Sequence, residues 1–283
     1  MEHKIVLVSF ADKRYRNALK RLEGYTRDFP FTERHFHTQD NIFSKSYWKK
    51  LKPWLYRRGY GYWEWKSKLV KYYLDSLADG DYLVWSDAGV FWNSTSAATN
   101  RFREYISMLT DNIDILAFQE PYIEQEWTKG DVLKFFNAYD CKKLCTTHQL
   151  WGGAFILKKS PTTELLVERW ANINEISKEL VTDKRSEYPN KDGFKEHRHD
   201  QSSFSLLVKQ VPHIEILPYE THPDNNNWKT LANYPIWGKR HKLESPPFTE
   251  IIKNKLLCPW RMVLNIYFRY IRKYDFMGNG YPW

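Results

Sequence analysis

Two acids stand out by the company they keep. Asp87 closes the compact apolar run Tyr82–Gly89 (YLVWSDAG) and is followed by the small residues Ala88 and Gly89. A run this short, between the Asp79-Gly80 breaker and a polar turn, predicts a buried strand. Ligands of open α/β sheets gather beyond the carboxyl ends of such strands. A carboxylate there can hold a hard divalent cation that carries phosphate oxygens, or it can simply cap the chain. The second acid, Asp200, lies in His197-Arg198-His199-Asp200-Gln201-Ser202, at the start of a predicted helix carrying Phe204, Leu206 and Leu207. Aspartate is a common helix cap. A cap needs none of His197, Arg198 or His199 beside it, and that crowding points to a site.

Three further features could serve the same chemistry. Asp12 opens the loop after a predicted first strand, Lys4–Phe10, where α/β proteins begin to bind nucleotides. It could accept a hydrogen bond from a base or ribose, or turn the chain. The stretch Gly59–Lys66 (GYGYWEWK) leads into a helix and could bring backbone N–H groups and Lys66 towards an anion. It lacks the lysine spacing of a P-loop, and a packed aromatic corner is the alternative. In the segment Gln149–Lys158 (QLWGGAFILK), Gly152-Gly153 are expected just before a strand, allowing close approach of a ligand or a tight bend. Cys141, Cys145 and Cys258 are too sparse for a disulfide framework or a zinc site and suit a reducing compartment.

The elements that must position these residues alternate. Strands are predicted at 4–10, in the run ending at Asp87, at 114–119, after Gly153 and at 213–217, and helices fall between them. One helix has the stripe Leu69, Val70, Tyr73, Leu74 and Leu77. Another is capped by Ser160-Pro161 and is expected to bury Leu165, Leu166, Trp170, Ile173 and Ile176. Residues 26–58 read as basic, aromatic and irregular. The alternation predicts a mostly parallel α/β sheet up to about residue 220, and 283 residues suit one large domain with an appendage. That appendage, 221–283, contains a basic aromatic helix expected from Pro259, with Trp260, Leu264, Tyr267, Phe268 and Ile271 beside Arg261, Arg269 and Arg272. It could lie on an anionic membrane surface or pack on the core. The net charge of +9 suggests an anionic partner; no motif that reads RNA or DNA is present, so no nucleic acid is expected. The apolar part of MEHKIVLVSFAD is too short for a secretion signal, and a cytoplasmic protein is expected.

Together GYGYWEWK at 59–66, YLVWSDAG at 82–89, WTKGD at 127–131, WGGAFILKKS at 151–160 and HRHDQS at 197–202 occur in a consistent order over residues 4–218. The ordered set resembles nucleotide-sugar glycosyltransferases of the GT-A fold, and is most similar to small bacterial enzymes of capsule, O-antigen and lipooligosaccharide synthesis. The resemblance implies a Rossmann-like, mixed and mostly parallel sheet flanked by helices, with 1–220 as catalytic domain and 221–283 closing the site. It implies transfer of a hexose-type sugar from a nucleotide diphosphate sugar, UDP favoured, to a saccharide or lipid-linked saccharide. The donor would meet Phe10, Ala11, Asp12, Trp65, Lys66, Ser86, Asp87, Ala88 and Gly89. The acceptor would meet Trp151, Gly152, Gly153, His197, Arg198 and His199. In that fold a DxD motif holds Mn²⁺ or Mg²⁺ on the diphosphate; Asp87 matches its first acid, Gly89 stands at its second, and His222 or a histidine of the 197–199 cluster could complete the coordination. Asp200 and Gln201 match the catalytic turn, Asp200 being the base in an inverting enzyme, or either residue lying near the sugar's β face in a retaining one.

Two rival readings use the same residues. A sugar-nucleotide hydrolase or nucleotidyltransferase also holds metal–phosphate on strand-end acids, but SFADKRYR is a poor phosphate loop. A non-catalytic carbohydrate-binding protein would use the aromatics and leave the crowding at 197–202 unexplained.

Overall fold

A computed structural model describes residues 3–239 apart from 54, 57 and 224–226. The main sheet is built from β1 (Ile5–Phe10), β2 (Glu33–His37), β3 (Tyr82–Ser86), β5 (Ile115–Ile123), β6 (His148–Lys158) and β7 (Ile214–Leu217), while β4 (Phe91–Trp92) pairs with β8 (Ile236–Trp237). Its order is β2-β1-β3-β6-β5-β7. β1 is parallel to β2 and β3, and β5 to β7; β6 runs against both of its neighbours. This is the mixed, mostly parallel α/β sheet that the resemblance implies. The helices are α1 (Arg16–Tyr25), α2 (Lys45–Leu51), the short turn α3 (Gly59–Tyr62), α4 (Glu64–Ser76), α5 (Ser96–Met108), α6 (Glu124–Trp127), α7 (Gly130–Phe135), α8 (Lys142–Cys145), α9 (Pro161–Ile176) and α10 (Asp200–Val208).

The two-residue period of a strand sorts the core into two layers. Val6, Val8, Phe10, Leu83, Trp85, Phe155 and Leu157 face α4, α9 and α10, meeting Leu69, Leu74, Trp170 and Phe204. Their sequence neighbours Leu7, Val84, Leu116, Phe118 and Ile156 face the other way, against Leu22 of α1 and Phe102 and Tyr105 of α5. Burial on both faces is why the central strands read as unbroken apolar runs.

Four expectations are corrected. The stretch 26–58 is not all irregular: it holds α2 and the strand β2, whose charged ERHFH sequence belongs to a sheet edge and carries no apolar alternation. β5 runs on to Ile123, past the expected end at 119. Gly152 and Gly153 lie inside β6, not before it. α9 has the expected Ser160 cap, with Ser160 accepting from the Thr163 N–H, but Leu165 and Ile176 are 61% and 65% exposed. Val167 and Ala171 fill their places, because the buried stripe follows 166–167–170–171–173.

Past β7 the chain returns to the sheet's end: Gly238 N–H bonds the Thr221 carbonyl (2.7 Å) and Asn93 N–H the Pro235 carbonyl (2.8 Å). The helix expected from Pro259, with the rest of 240–283, lies outside the described residues. Among the described residues no helix is long and apolar enough to cross a membrane.

Candidate active site

Lys66 brings the two acids together. It lies in the first turn of α4, on the same face as Leu69, Val70 and Tyr73, so the helix pushes an ammonium into the core. A charge placed there needs partners. Its Nζ stands 3.1 Å from Asp87 Oδ1, 2.8 Å from Asp200 Oδ2 and 3.1 Å from the Gly152 carbonyl, and the residue is 2% exposed. Asp87 is the first residue past β3 and Asp200 the first of α10, so two elements far apart in sequence deliver their acids to one cation.

The environments of the two acids differ. Asp87 Oδ1 also accepts from the Trp85 indole N–H (3.0 Å), while the Asp87 N–H donates to the Gly153 carbonyl (2.7 Å). Its side chain is 32% exposed, and both charged or indole contacts fall on Oδ1, leaving Oδ2 for a ligand. Asp200 is buried. Burial pushes its carboxyl up to about 6, against the pull of the Lys66 ammonium and with a further push from Asp87. Burial pulls Lys66 down, yet Asp200 and Asp87 together hold it above the ordinary lysine value.

Gln201 is fixed at both ends of its carboxamide: Oε1 accepts from the Gly152 N–H (3.1 Å) and Nε2 donates to Gln149 Oε1 (2.7 Å). A side chain at Gly152 would place its Cβ 3.1 Å from the Gln201 Cβ, which is why a glycine sits there. Trp151 is buried, and the His222 ring meets it edge-on at 4.8 Å.

The crowded histidines, expected at the acceptor, each bond a backbone carbonyl. His197 Nε2 donates to the Leu180 carbonyl (2.8 Å) and His199 Nδ1 to that of Val181 (2.9 Å). Both rings are buried, and burial holds His199 down at about 4 and His197 well below the ordinary histidine value, so both are neutral tethers for the 3₁₀ helix at Lys178–Val181. Arg198 lies over the Trp127 ring at 4.2 Å.

Of the residues expected to meet a donor, Phe10 and Trp65 pack on each other (4.1 Å between ring centroids) inside the core. Ala11 and Ala88 share a small apolar cluster. Asp12 is buried and its Oδ2 takes a two-pronged contact from Arg14 (2.9 and 2.6 Å), a turn-forming role. Ser86 accepts from the Trp92 indole (3.0 Å).

The GYGYWEWK lead-in is a left-handed turn. Gly59 through Trp63 all have positive φ: 54°, 54°, 101°, 58° and 57°. Arg58 clamps it by ion pairs to Asp183 (3.0 Å) and Glu196, Tyr62 donates to Asp183 (3.0 Å), and Trp63 stacks on His199 (5.4 Å). Within it the Gly61, Tyr62 and Trp63 N–H groups donate to the Tyr56, Arg58 and Gly59 carbonyls.

Among the described residues no group of three or more His, Cys, Asp or Glu side chains is arranged to hold a metal ion. His222 Nε2 faces Glu120 at 3.8 Å. A Cβ at Gly89 would meet nothing within 4 Å, so the space beside Asp87 is open. One carboxylate oxygen and open space do not make a resident cation site; they fit a cation that arrives already held by phosphate oxygens.

No protein family matches this sequence, and no curated protein matches it. Among solved structures the chain is similar to a glycosyltransferase involved in glycosylation of the major capsid of PBCV-1 (10% identity over 86% of this chain and 94% of that one, TM-score 0.46). It is also similar to mouse xyloside xylosyltransferase 1 (10% identity, 87% and 100% covered, TM-score 0.44). A third is the glycosyltransferase GlyE of Streptococcus pneumoniae TIGR4 (10% identity, 95% and 64% covered, TM-score 0.45).

Proposed function

We propose that this chain is a glycosyltransferase that moves a hexose-type sugar from a nucleotide diphosphate sugar, UDP favoured, to a saccharide or lipid-linked saccharide of a surface polysaccharide. The observation that carries this reading is the meeting of Asp87 and Asp200 on the Lys66 ammonium at the carboxyl end of β3. Such a crevice is where open α/β sheets bind nucleotides.

Each residue has a task. Asp87 would be the residue to hold a divalent cation brought in by the donor diphosphate, and such a cation would offset the charge that grows on the leaving group. Lys66 holds Asp87 and Asp200 at fixed positions and keeps Asp200 ionised near neutral pH. Asp200, pushed up to about 6, has the basicity to take a hydroxyl proton from an acceptor at that pH. Gln201 presents the remaining N–H and carbonyl lone pair of its carboxamide to the sugar.

The test is a thermal-shift screen of UDP-, GDP-, CMP- and dTDP-sugars with and without Mn²⁺, followed by measurement of released nucleotide. One nucleotide class should raise the melting temperature, since binding to the folded state alone stabilises it. Nucleotide release should require a saccharide acceptor, and the anomeric configuration of the product tells inversion from retention. Equal release without acceptor would make the protein a hydrolase; no nucleotide effect at all would overturn the reading.

A further inference from the structure

Tyr219 combines two features that the chemistry above does not use. It is the second residue past β7, its φ is +58°, and its side chain is 52% exposed. A bulky residue at positive φ is an outlier, whereas glycine or asparagine takes that conformation at little cost. Tyr60, Tyr62 and Trp63 are left-handed too, but their rings offset the strain by packing on Trp48, Tyr56 and His199. The Tyr219 ring has no such partner among the described residues. Its conformation is imposed from both sides. The β5–β7 ladder holds Leu217 opposite Phe118, and Glu220 is drawn into the core by Arg101 of α5, which donates from Nε to Oε2 (3.1 Å) and from Nη2 to Oε1 (2.5 Å). The residue left between strand and buried acid is pushed to the surface.

Strand register places Tyr219 relative to the two acids. Trp85 of β3, Phe155 of β6, Ala117 of β5 and Ile216 of β7 lie in one row across the sheet. β3, β5 and β7 run the same way, so Asp87, two residues past Trp85, and Pro218, two past Ile216, leave the sheet at the same end. With strands about 4.8 Å apart, three spacings put Tyr219 roughly 14 Å from Asp87 along that end. Trp151, with the His222 ring against its edge, lies between them. Such a span exceeds one sugar ring and suits a short oligosaccharide. A sugar presents C–H groups on its faces and hydroxyls round its rim. A tyrosine answers with an apolar ring face and a polar tip, at low conformational cost.

We infer that Tyr219 is the platform of a distal acceptor subsite, its ring stacking on a sugar one or two units away from the one that is glycosylated. The inference rests on the reading of the acceptor as a saccharide, and makes that acceptor an oligosaccharide. A residue kept for packing would destabilise the chain when removed. A platform residue held at a strained φ does the opposite, because its replacement relieves strain and gives up only the ligand.

The experiment compares the full-length wild type with Tyr219→Asn and Tyr219→Trp on an array of bacterial surface saccharides of increasing length, from single sugars upward, with UDP and Mn²⁺ and without them. The wild type should bind oligosaccharides in preference to single sugars. Tyr219→Asn should weaken that binding about tenfold and raise the melting temperature by about 2 °C, while Tyr219→Trp keeps the affinity. In turnover, Tyr219→Asn should raise the KM of an oligosaccharide acceptor about tenfold with kcat unchanged, and leave kcat/KM for a single sugar as it was. Binding of no saccharide by the wild type, unchanged binding in Tyr219→Asn, or a lower melting temperature in that variant would each overturn the inference. Should Tyr219-dependent binding be found while no nucleotide sugar supports turnover, the glycosyltransferase reading falls and the subsite stands. Turnover that ignores Tyr219 at every acceptor length does the reverse.

Discussion

Replacing Lys66 by methionine keeps an unbranched side chain and removes the charge between Asp87 and Asp200. At 2.8 and 3.1 Å, and with an effective dielectric of about 20, each contact amounts to roughly 5–6 kcal/mol of Coulomb attraction. Burying the ammonium costs several kcal/mol in lost hydration, so the two attractions do not simply add to stability. Removing one partner of a buried pair typically costs about 3–5 kcal/mol, because the remaining charge is stranded. Here the stranded group can protonate. Asp200 already titrates at about 6 beside an ammonium, and loses a stabilising partner in Lys66→Met. A carboxyl whose folded pKa lies above its unfolded value binds protons more tightly when folded, so its stability contribution falls as pH rises through the folded value. The deficit of Lys66→Met should therefore be small at pH 5 and approach about 3–5 kcal/mol at pH 8. Urea denaturation of both proteins at the two pH values measures it. An equal deficit at pH 5 and 8, or none, would refute the account of the site.

Asp200→Asn should keep donor binding and lose about 10²–10⁴-fold in kcat, the usual reach of general acid–base catalysis. For the same reason wild-type kcat/KM should climb with pH up to about 6 and then level off; a flat profile between pH 5 and 8 would remove Asp200 as the base. Mn²⁺ alone should leave the melting temperature unchanged, whereas Mn²⁺ with the correct nucleotide raises it, and Asp87→Ala should abolish that Mn²⁺-dependent part; a shift with metal alone would contradict the donor-borne cation. Gly59→Ala should lower stability by about 1–2 kcal/mol or more, since φ is +54° there and the new Cβ would fall 2.1 Å from the Trp63 ring. A melting curve matching wild type would show that the turn can relax.

Much of the scaffold was legible because the buried strands are short, apolar and bracketed by breakers. β2 was not, because an edge strand carries the charges that helices and loops also carry. Both acids were legible from position: one at a strand end, one at a crowded helix start. The backbone contacts of the histidines around Asp200 were not legible, since residues that tether a turn look in sequence like residues that greet a ligand. Lys66 carried a readable signal, a lysine on the same helical face as Leu69, Val70 and Tyr73, which foretells acids across the interface. Which acids those are depends on three elements meeting, and no local pattern records that. Gln149 was missed for the same reason, although a glutamine within a strand buried on both faces is itself a hint of a polar anchor.

The left-handed turn at 59–63 has a consequence for how the protein ages and adapts. It touches the helix bearing Asp200 by two routes, through Trp63 against His199 and through Lys66 a few residues on. Holding Tyr60, Tyr62 and Trp63 in that conformation costs about 1–2 kcal/mol apiece, energy drawn from the rest of the fold. The meeting of Lys66 with Asp87 and Asp200 is thus assembled at folding. Drift or damage in this turn of aromatics would be felt at the Lys66–Asp200 contact well before it was felt in the sheet.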